Sequence, residues 1–347
     1  MRDRVRNTFL FVISYAITFL NTMPIWLAEL AHKTGGGSIT IGLTASLVLI
    51  SAAIGCFIGP RVLRSGVPAF CGGIVFLGLL ASSSASAFDT AMLIPGAALV
   101  GLASGVVLSI PLSAADNGDS LLRMFGQGMS LGCVASLVVL ASTASTGFPL
   151  LPVLSGLAGI QMVILLQSFS AHALQSFQPA ALRRDLNLFP FFVLMGSYWA
   201  FLEVFALERG LETVSGWLAA SLVLSALGSL AASVAPDRIR HVLLLLGLGL
   251  AALAGGLTYL SVSEVALGMM ILCNAFGLFL FFPLYLDDTD MPGFGMARYL
   301  LGFALGGGVG SLIITFGGYR ALAFAIIASG LIALPKLWRG GFKPRAS

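Results

Sequence analysis

The segment IGPRVLRSG, residues Ile58–Gly66, indicates how this 347-residue chain is organised. It follows an apolar run long enough to cross a bilayer and carries two arginines just after a proline. A similar segment, VAPDRIRHV, occupies Val234–Val242, near the start of the second half. The apolar runs before the two segments share the pentapeptide ASLVL, at Ala45–Leu49 and again at Ala220–Leu224. This repetition predicts two related halves, each with a basic segment after its second apolar helix.

The composition of the chain indicates a membrane protein. Hydrophobic residues make up 58% of it and charged residues only 9%, whereas a soluble domain carries about 25% charged residues. So few polar groups cannot cover a water-exposed surface, and the excess apolar surface must face lipid. The net charge of +4 is not gathered into a basic patch, so we expect no nucleic-acid partner. The four cysteines lie in apolar runs without a CxxC pair, and no metal or other cofactor is expected.

Twelve apolar segments are long enough to cross a bilayer, which takes roughly 20 helical residues. The predicted spans, numbered 1 to 12, are 8–31, 39–59, 68–88, 90–113, 121–143, 148–169, 187–207, 214–234, 240–260, 265–286, 295–316 and 319–337. The longest break, at 170–186, divides them six and six. We predict an all-α membrane protein with a six-helix bundle at 1–170, a cytoplasmic linker at 171–186 and a second six-helix bundle at 187–347.

Positive charge on the connecting segments predicts the orientation, because cytoplasmic loops retain Lys and Arg. With the N-terminus inside, the inner segments carry Arg2, Arg4, Arg6, Arg61, Arg64, Arg123, Arg183, Arg184, Arg238, Arg240, Arg298, Lys336, Arg339, Lys343 and Arg345. The outer segments carry only Lys33, Arg209 and Arg320. We therefore predict a multi-pass protein of a cell inner (plasma) membrane with both termini cytoplasmic. The basic start MRDRVRN also resembles a signal peptide, but the apolar run after it is long enough to span.

Glycine is abundant, with 42 residues, and several glycines recur at a spacing of four. In lipid, small residues at this spacing mark places where helix backbones approach closely. The glycines concerned are Gly55 and Gly59, Gly101 and Gly105, Gly128 and Gly132, and Gly302, Gly306 and Gly310. We predict helix-packing seams at these positions.

Because each half has an even number of spans, both halves enter the membrane from the same side and are related as parallel repeats. With twelve helices, six plus six, and a basic loop after spans 2 and 8, the chain resembles the major facilitator superfamily over nearly its whole length. The loop motif of that family reads roughly G-x-x-x-D-R-x-G-R-R. The resemblance implies a secondary transporter that works by alternating access.

The two loops match the family motif in part. In the first loop Arg61 and Arg64 stand at basic positions, and Pro60 replaces the acid. In the second loop Asp237 and Arg238 match the acid–base pair. Span 4 lacks the arginine, and span 5 lacks the Gly-Pro pair, that antiporter members carry. The chain therefore resembles a divergent member of the family.

In the family these loops latch the two bundles together on the cytoplasmic side. The resemblance implies that Arg61 and Arg64 meet an acid beyond span 10 and that Arg238 meets an acid beyond span 4. The gating candidates are Arg61, Arg64, Asp116, Asp237, Arg238 and Asp287, with Asp119, Asp288 and Asp290 as further acids. The alternative is that the arginines only determine topology.

Span 1 carries a stripe of polar and aromatic residues at helical spacing. The stripe consists of Tyr15, Thr18, Thr22, Trp26 and Glu29, with Asn21 beside it. We interpret it as the lining of a cavity that binds substrate, and we expect Pro24 to bend the helix. The alternative is hydrogen bonding between helices, which Thr and Asn commonly make in membranes.

Deep polar residues on other spans extend this set. Glu203 in span 7 lies about 24 Å from the inner end at 1.5 Å per residue, and Trp199 precedes it by one turn. Further substrate-binding candidates are Gln127, Gln161 and Asn274. An ionisable side chain is costly in lipid, so Glu203 and Glu29 are the candidates for proton coupling. The alternative for each is a carboxyl group that only makes a structural hydrogen bond.

All eighteen basic residues lie at span ends or in loops, which disfavours a strongly anionic substrate. We expect a monomer that moves a small neutral or weakly charged organic solute, with a proton as the coupling ion. The alternatives are a passive facilitator and a transport-inactive relative that acts as a receptor or assembly factor. The three histidines have no ligand-like spacing and no HExxH motif occurs, so an enzyme is not expected.

Overall fold

The computed structural model describes residues 2–35, 38–63, 66–84, 90–113, 121–168, 186–211, 214–289 and 292–340. Among these residues the regular secondary structure is α-helical, apart from a short 3-10 helix at Leu186–Leu188. The α-helices are α1 (Arg2–Asn21), α2 (Met23–Thr34), α3 (Ser38–Val62), α4 (Val67–Ser83), α5 (Thr90–Ser113), α6 (Leu121–Thr146), α7 (Leu150–Ser168), α8 (Phe189–Glu208), α9 (Val214–Ser233), α10 (Asp237–Thr258), α11 (Glu264–Asp288) and α12 (Pro292–Gly340).

The first predicted span is built from α1 and α2, which meet at a bend of 57°. Pro24 lies in the first turn of α2, where its missing N–H costs no helical hydrogen bond. The carbonyl of Thr22 at the bend accepts hydrogen bonds from the N–H groups of Ile25 at 3.1 Å and Trp26 at 3.2 Å. The predicted bend is confirmed.

The last two predicted spans are the two arms of α12. A straight helix of its 49 residues would be about 74 Å long, more than twice the roughly 30 Å of hydrocarbon. The helix is broken at Gly318, whose φ of 66° lies in the left-handed region that favours glycine. The predicted turn between spans 11 and 12 is therefore a single non-helical residue.

Membrane-spanning helices account for nearly all of the described residues. Nine of their helices are long and apolar enough to cross a membrane, and the bent pair of α1 and α2 makes a tenth span. The apolar helix α4, with 17 residues, is an eleventh, and the break in α12 adds the twelfth. The predicted all-α fold of twelve spans is confirmed, and the protein is a multi-pass membrane protein.

The chain divides into two compact units. The first comprises Met1–Gln178 together with Pro292–Leu300, and the second comprises Pro179–Met291 together with Leu301–Ser347. The break after residue 178 falls in the predicted linker, outside the described residues. The first nine residues of α12 thus group with the first unit, whereas the sequence predicted them in the second bundle. The proposed domain boundaries stay a prediction.

Glycine seams hold the helices of the first unit together. The seam between α3 and α5 is formed by Gly55, Gly59, Gly101 and Gly105. A Cβ at Gly105 would overlap the backbone of Ala52, and one at Gly55 would overlap the backbone of Leu102. Gly128 and Gly132 of α6 lie against α1, where a Cβ would overlap the Ile13 side chain in the first case and Ile17 and the Ser14 carbonyl in the second. These predicted seams are confirmed.

A seam of the same kind joins α8 to α12 in the second unit. Its α12 side is formed by Gly302, Gly306 and Gly310. A Cβ at Gly306 would overlap the backbone of Gly196 in α8. The close approach also lets the hydroxyl of Ser197 donate a hydrogen bond to the carbonyl of Gly306, at 2.7 Å. This seam, too, was predicted from the spacing of four.

We expect Gly306→Ala to lower the free energy of unfolding by about 2 kcal/mol, because a methyl group does not fit the seam. Gly307 is the matched control, since a Cβ there would have no neighbour within 4 Å in the described part of the chain. Gly307→Ala should leave stability unchanged or raise it by up to about 1 kcal/mol, because alanine favours a helix. Thermal unfolding of the purified protein in detergent measures both. Equal losses in the two variants would contradict the seam.

Candidate functional site

Two threonines of the predicted stripe use their hydroxyl groups for helix packing. The Thr18 hydroxyl donates to the carbonyl of Ser14 at 2.9 Å and to that of Gly132 in α6 at 3.2 Å. The Thr22 hydroxyl donates to the carbonyl of Thr18 at 2.8 Å. Both side chains are buried. For these two residues the contacts match the alternative of hydrogen bonding within and between helices.

Asn21 and Trp26 also find partners within the first unit. The Asn21 amide donates to the hydroxyl of Ser136 in α6 at 3.2 Å and approaches the Cys133 sulfur at 3.8 Å. The Trp26 ring stacks on Phe19 with 5.3 Å between ring centroids, and its Nε1 donates to the Phe19 carbonyl at 3.5 Å. Asn21 therefore ties the end of α1 to α6, and Trp26 packs across the bend. Their roles in substrate binding stay predictions.

Glu29 holds the start of α7. Its Oε2 accepts hydrogen bonds from the N–H groups of Leu150 at 2.8 Å and Leu151 at 3.2 Å, where the helix leaves backbone N–H groups without helical partners. The Lys33 ammonium forms an ion pair with Oε1 at 3.0 Å. The angles of this contact do not make it a hydrogen bond. Lys33 also donates to the carbonyl of Ser83 at the end of α4, at 2.8 Å. Glu29 and Lys33 thus connect α2 with α7 and α4.

Tyr15 and Gln161 meet at a small cavity of the first unit that lies among α1, α3, α5 and α7. Ser104 of α5 lines the same cavity, and the rest of the lining is apolar apart from the backbone of Gly105. The Tyr15 Oη, Ser104 Oγ and Gln161 Oε1 atoms are buried, and none has a hydrogen-bond partner among the described residues. The space open to the centre of a water molecule is about 20 Å³. The structure thus brings together two of the predicted binding residues and adds Ser104.

The other two amide candidates lie apart from this cavity. Gln127 is half-buried on α6. Asn274 is fully buried in α11 of the second unit, where its amide donates to the carbonyl of Ala251 in α10 at 2.8 Å and approaches the sulfur of Met195 in α8 at 3.7 Å. Asn274 therefore joins three helices of the second unit. Its place in a substrate site stays a prediction.

Glu203 lies on the exposed side of α8, with Val204 and Leu207 beside it. The opposite side of the helix is buried against an aromatic cluster, in which Tyr198 and Phe205 pack on Tyr259 with 5.9 Å and 5.1 Å between ring centroids. Trp199 is half-buried at the edge of that cluster. The packing therefore directs the carboxyl group of Glu203 away from the interior of the second unit.

An aromatic contact joins the end of α3 to the start of α12 within the first unit. The rings of Phe57 and Phe294 lie 5.6 Å apart, centroid to centroid. The Arg61 guanidinium lies 5.1 Å from the Phe57 ring centre, and the Arg298 guanidinium lies 4.2 Å from the Phe294 ring centre. Two cation–π pairs thus flank one aromatic pair. We call these four residues the Arg–Phe clasp.

The basic loop of the second unit is organised by Arg240. Its guanidinium lies 2.8 Å from Asp237 and 3.4 Å from the buried Asp287 of α11, and its Nε donates to the carbonyl of Ala235 at 3.2 Å. Arg238, the predicted partner of the motif, is exposed. The predicted contacts of Arg64, Asp116, Asp119 and Asp290 lie outside the described residues.

Sequence reasoning missed three features of these sites. The Asp237–Arg240 pair has a helical spacing of three, a signal that is visible in the sequence. The contributions of Ser104 and Phe294 depend on tertiary contacts and leave no local pattern.

The sequence GMSLG at Gly128–Gly132 matches the G-x-S-x-G motif of hydrolases, but it lies inside α6 without the strand-to-helix turn that the motif requires.

Comparison with solved structures gives a consistent result over the whole chain. The human organic anion transporter MFSD10 (TETRAN) has a TM-score of 0.73 and 16% identity, with 96% of this chain and 99% of that chain covered. The Escherichia coli fucose:proton symporter has a TM-score of 0.68 and 13% identity, with 99% of both chains covered. The same symporter, FucP, has also been solved in the outward conformation and is described there as a major facilitator superfamily transporter. That structure has a TM-score of 0.70 and 12% identity, with 96% of this chain and 98% of that chain covered.

The protein has the major facilitator fold. No protein-family model matches its sequence, and no curated protein has a significantly similar sequence. At identities of 12 to 16%, the likeness is carried by helix arrangement rather than by residues. The resemblance that the sequence indicated is confirmed at the level of this fold.

We expect Glu29→Ala to lower the free energy of unfolding by about 1–2 kcal/mol, because α7 loses the acceptor at its N-terminus. Glu29→Gln keeps an acceptor but removes the charge, so its loss should be smaller. Thermal unfolding in detergent compares the three proteins. A wild-type melting temperature for Glu29→Ala would contradict the structural role of this residue.

Proposed function

We propose that this protein is a secondary transporter that moves a small organic solute across a membrane by alternating access. The observation that carries the proposal is the likeness to solved transporter structures over at least 96% of this chain. Two related halves with parallel topology suit a mechanism in which two bundles rock around a central site. We further propose that the protein acts as a monomer in a cell inner membrane, with both termini cytoplasmic.

The proposed solute is neutral or weakly charged. The cavity of the first unit has three uncharged hydrogen-bonding side chains, and among the described residues no charged side chain lines it. The proposed binding residues remain those of the stripe and the deep amides: Tyr15, Thr18, Asn21, Thr22, Trp26, Gln127, Gln161, Trp199 and Asn274. Among them, Tyr15 and Gln161 are the strongest candidates, because their polar atoms at the cavity are not used for helix packing.

Glu203 is the proposed proton-binding group. Its side chain is exposed on an apolar membrane helix, and a carboxylate facing lipid there would cost several kcal/mol. A water-accessible path is the arrangement that avoids this cost. The Oε2 atom of Glu29 is already engaged at the start of α7, and its Oε1 atom pairs with Lys33 of α2, so we give Glu29 the lesser role in coupling.

Gating is proposed at the basic loops. In the first unit the Arg–Phe clasp adds Phe57, Phe294 and Arg298 to the gating candidate Arg61. In the second unit Arg240 holds Asp287, with Asp237 as a more exposed partner. We propose that exchange of these contacts accompanies the change of access, with Arg64, Arg238 and Asp116 as further members.

The first experiment identifies the solute. Purified protein is screened by thermal unfolding, at two pH values, against sugars, polyols, nucleosides, amino acids and lipophilic amines. A ligand at one hundred times its dissociation constant stabilises the folded state by about 2.7 kcal/mol. Hits are then tested for flux in proteoliposomes. Solute-dependent flux supports the proposal, whereas binding without flux in either direction favours the receptor alternative.

We expect Glu203→Gln to abolish uptake driven by a proton gradient and to retain exchange of labelled for unlabelled solute, because the amide cannot carry a proton. The measurement uses proteoliposomes with an imposed pH difference and the solute from the screen. Glu208→Gln is the matched control, since Glu208 ends the same helix and its carboxylate contacts Tyr319 at 3.2 Å. Gradient-driven uptake by Glu203→Gln at the wild-type rate would point to another coupling group, whereas wild-type uptake that does not respond to the pH difference would favour a passive facilitator.

We expect Phe57→Ala to make the start of α12 more accessible. An aromatic pair contributes about 0.5–1.5 kcal/mol, so the accessible fraction should rise about 2- to 10-fold. The reporter is Gly293→Cys in a background without the four native cysteines, because Gly293 is buried and a Cβ there would lie 3.4 Å from the Cys56 carbonyl oxygen. Maleimide labelling rates are compared with and without Phe57→Ala. An unchanged rate would count against the clasp as a gate.

A further inference from the structure

Three polar atoms at the cavity of the first unit have, among the described residues, none of the partners that buried polar groups ordinarily have. Tyr15 is 5% exposed and Gln161 is 2% exposed. The Tyr15 Oη, Gln161 Oε1 and Ser104 Oγ atoms have no hydrogen-bond partner among the described residues. Burying such a group without a hydrogen bond is costly. Three of these atoms around one cavity indicate a missing common partner.

The hydrogen-bonding capacities of the three groups define that partner. The Gln161 Oε1 atom only accepts, whereas the hydroxyl groups of Tyr15 and Ser104 both donate and accept. A single oxygen atom that carries at least one hydrogen is able to donate to Gln161 and accept from the two hydroxyl groups. In the part of the chain that the structure describes, no charged side chain lines the cavity, so a charged ligand group would be buried there without a counter-charge.

The size of the cavity limits the partner to one small group. The space open to the centre of a water molecule is about 20 Å³, and roughly 10–15 Å³ suffices for one water. The remaining lining comes from apolar side chains such as Phe19, Val107 and Leu300. A larger polar group would have to displace them.

We infer that the cavity formed by Tyr15, Ser104 and Gln161 is a binding site for one neutral hydroxyl group. Two sources supply this chemistry: a resident water molecule, or a hydroxyl group of the transported solute. The second source rests on the proposed function, and the first does not. In the second case the solute class narrows to neutral compounds with at least one hydroxyl group.

The test measures the melting temperature of the purified full-length protein and of Tyr15→Phe and Gln161→Met. Tyr15→Phe removes the hydroxyl oxygen, and Gln161→Met removes the amide oxygen and nitrogen. Both substitutions nearly preserve shape. Tyr319→Phe is the control, because the Tyr319 hydroxyl lies in the second unit against Glu208. Each protein is measured alone and with neutral polyols and monosaccharides, each paired with its deoxy analogue.

A resident water predicts that Tyr15→Phe and Gln161→Met each lower the melting temperature by about 1–3 °C without any probe, since each loses a buried hydrogen bond. A solute hydroxyl predicts no loss without a probe. It predicts instead that a polyol or monosaccharide raises the wild-type melting temperature more than its deoxy analogue does, and that both variants abolish this difference. Tyr319→Phe should retain it.

Unchanged or raised melting temperatures in both variants, together with no hydroxyl-dependent shift in the wild type, would overturn the inference. If a variant is not recovered folded, high-resolution density of the wild type decides. An oxygen within about 2.7–3.2 Å of both Tyr15 Oη and Gln161 Oε1 supports the site. A cavity that is empty both in the protein alone and with the polyols and monosaccharides overturns it.

The outcome is separable from that of the proposed function. Flux by the wild type with no effect of Tyr15→Phe or Gln161→Met on stability or probe binding leaves the transporter proposal standing and removes this site. A resident water in a protein that shows no flux supports this site and removes the transporter proposal.

Discussion

Close approach of helix backbones at glycine is the constraint on which both units depend. Lipid tails are as apolar as the helix surfaces, so burial of apolar side chains does little to hold these helices together, and packing contacts must do so. Gly55 and Gly105 let α3 and α5 meet in the first unit, and Gly196 and Gly306 let α8 and α12 meet in the second. The same approach places the Ser197 hydroxyl against the Gly306 carbonyl. Seams of this kind leave little room for side chains, so the polar residues near them are largely committed to structure.

The use of a polar group in helix packing separates structural residues from candidate functional residues. Thr18, Asn21 and Asn274 all lie on membrane helices and look alike in the sequence, yet each bonds a neighbouring helix. The Tyr15 Oη and Gln161 Oε1 atoms differ because they face a cavity without a protein partner among the described residues. The Asn274 Oδ1 atom also lacks such a partner, but it does not line this cavity, and the Asn274 Nδ2 atom is bonded to Ala251. In a medium that offers no competing hydrogen bonds, an unused polar atom is costly and therefore informative. The binding proposal accordingly concentrates on Tyr15 and Gln161.

Much of the fold could be predicted from the sequence, because its signals are local. Span length, loop charge and glycine spacing are read within about twenty residues, and they indicated the twelve spans, the seams and the bend near Pro24. The site was less predictable. The contact of the Glu29 carboxyl group with the start of α7 was not predictable, since nothing around residue 29 shows that Leu150 will be near it. The Arg–Phe clasp was not predictable either, because Phe294 lies more than two hundred positions from Phe57 and Arg61 in the chain.

The sequence by itself determined the environment and the topology class of this protein. Its scarcity of charge requires lipid around it. Its repeated basic segments after spans 2 and 8 indicate two related halves, and the even number of spans in each half makes them parallel. Only the tertiary structure decided which polar groups are spent on packing and which are left over. The physical reason is that periodicity places a side chain on a helix face, whereas hydrogen-bond partners come from other helices. Tyr15, Ser104 and Gln161 belong to three different helices and meet only when the first unit is folded.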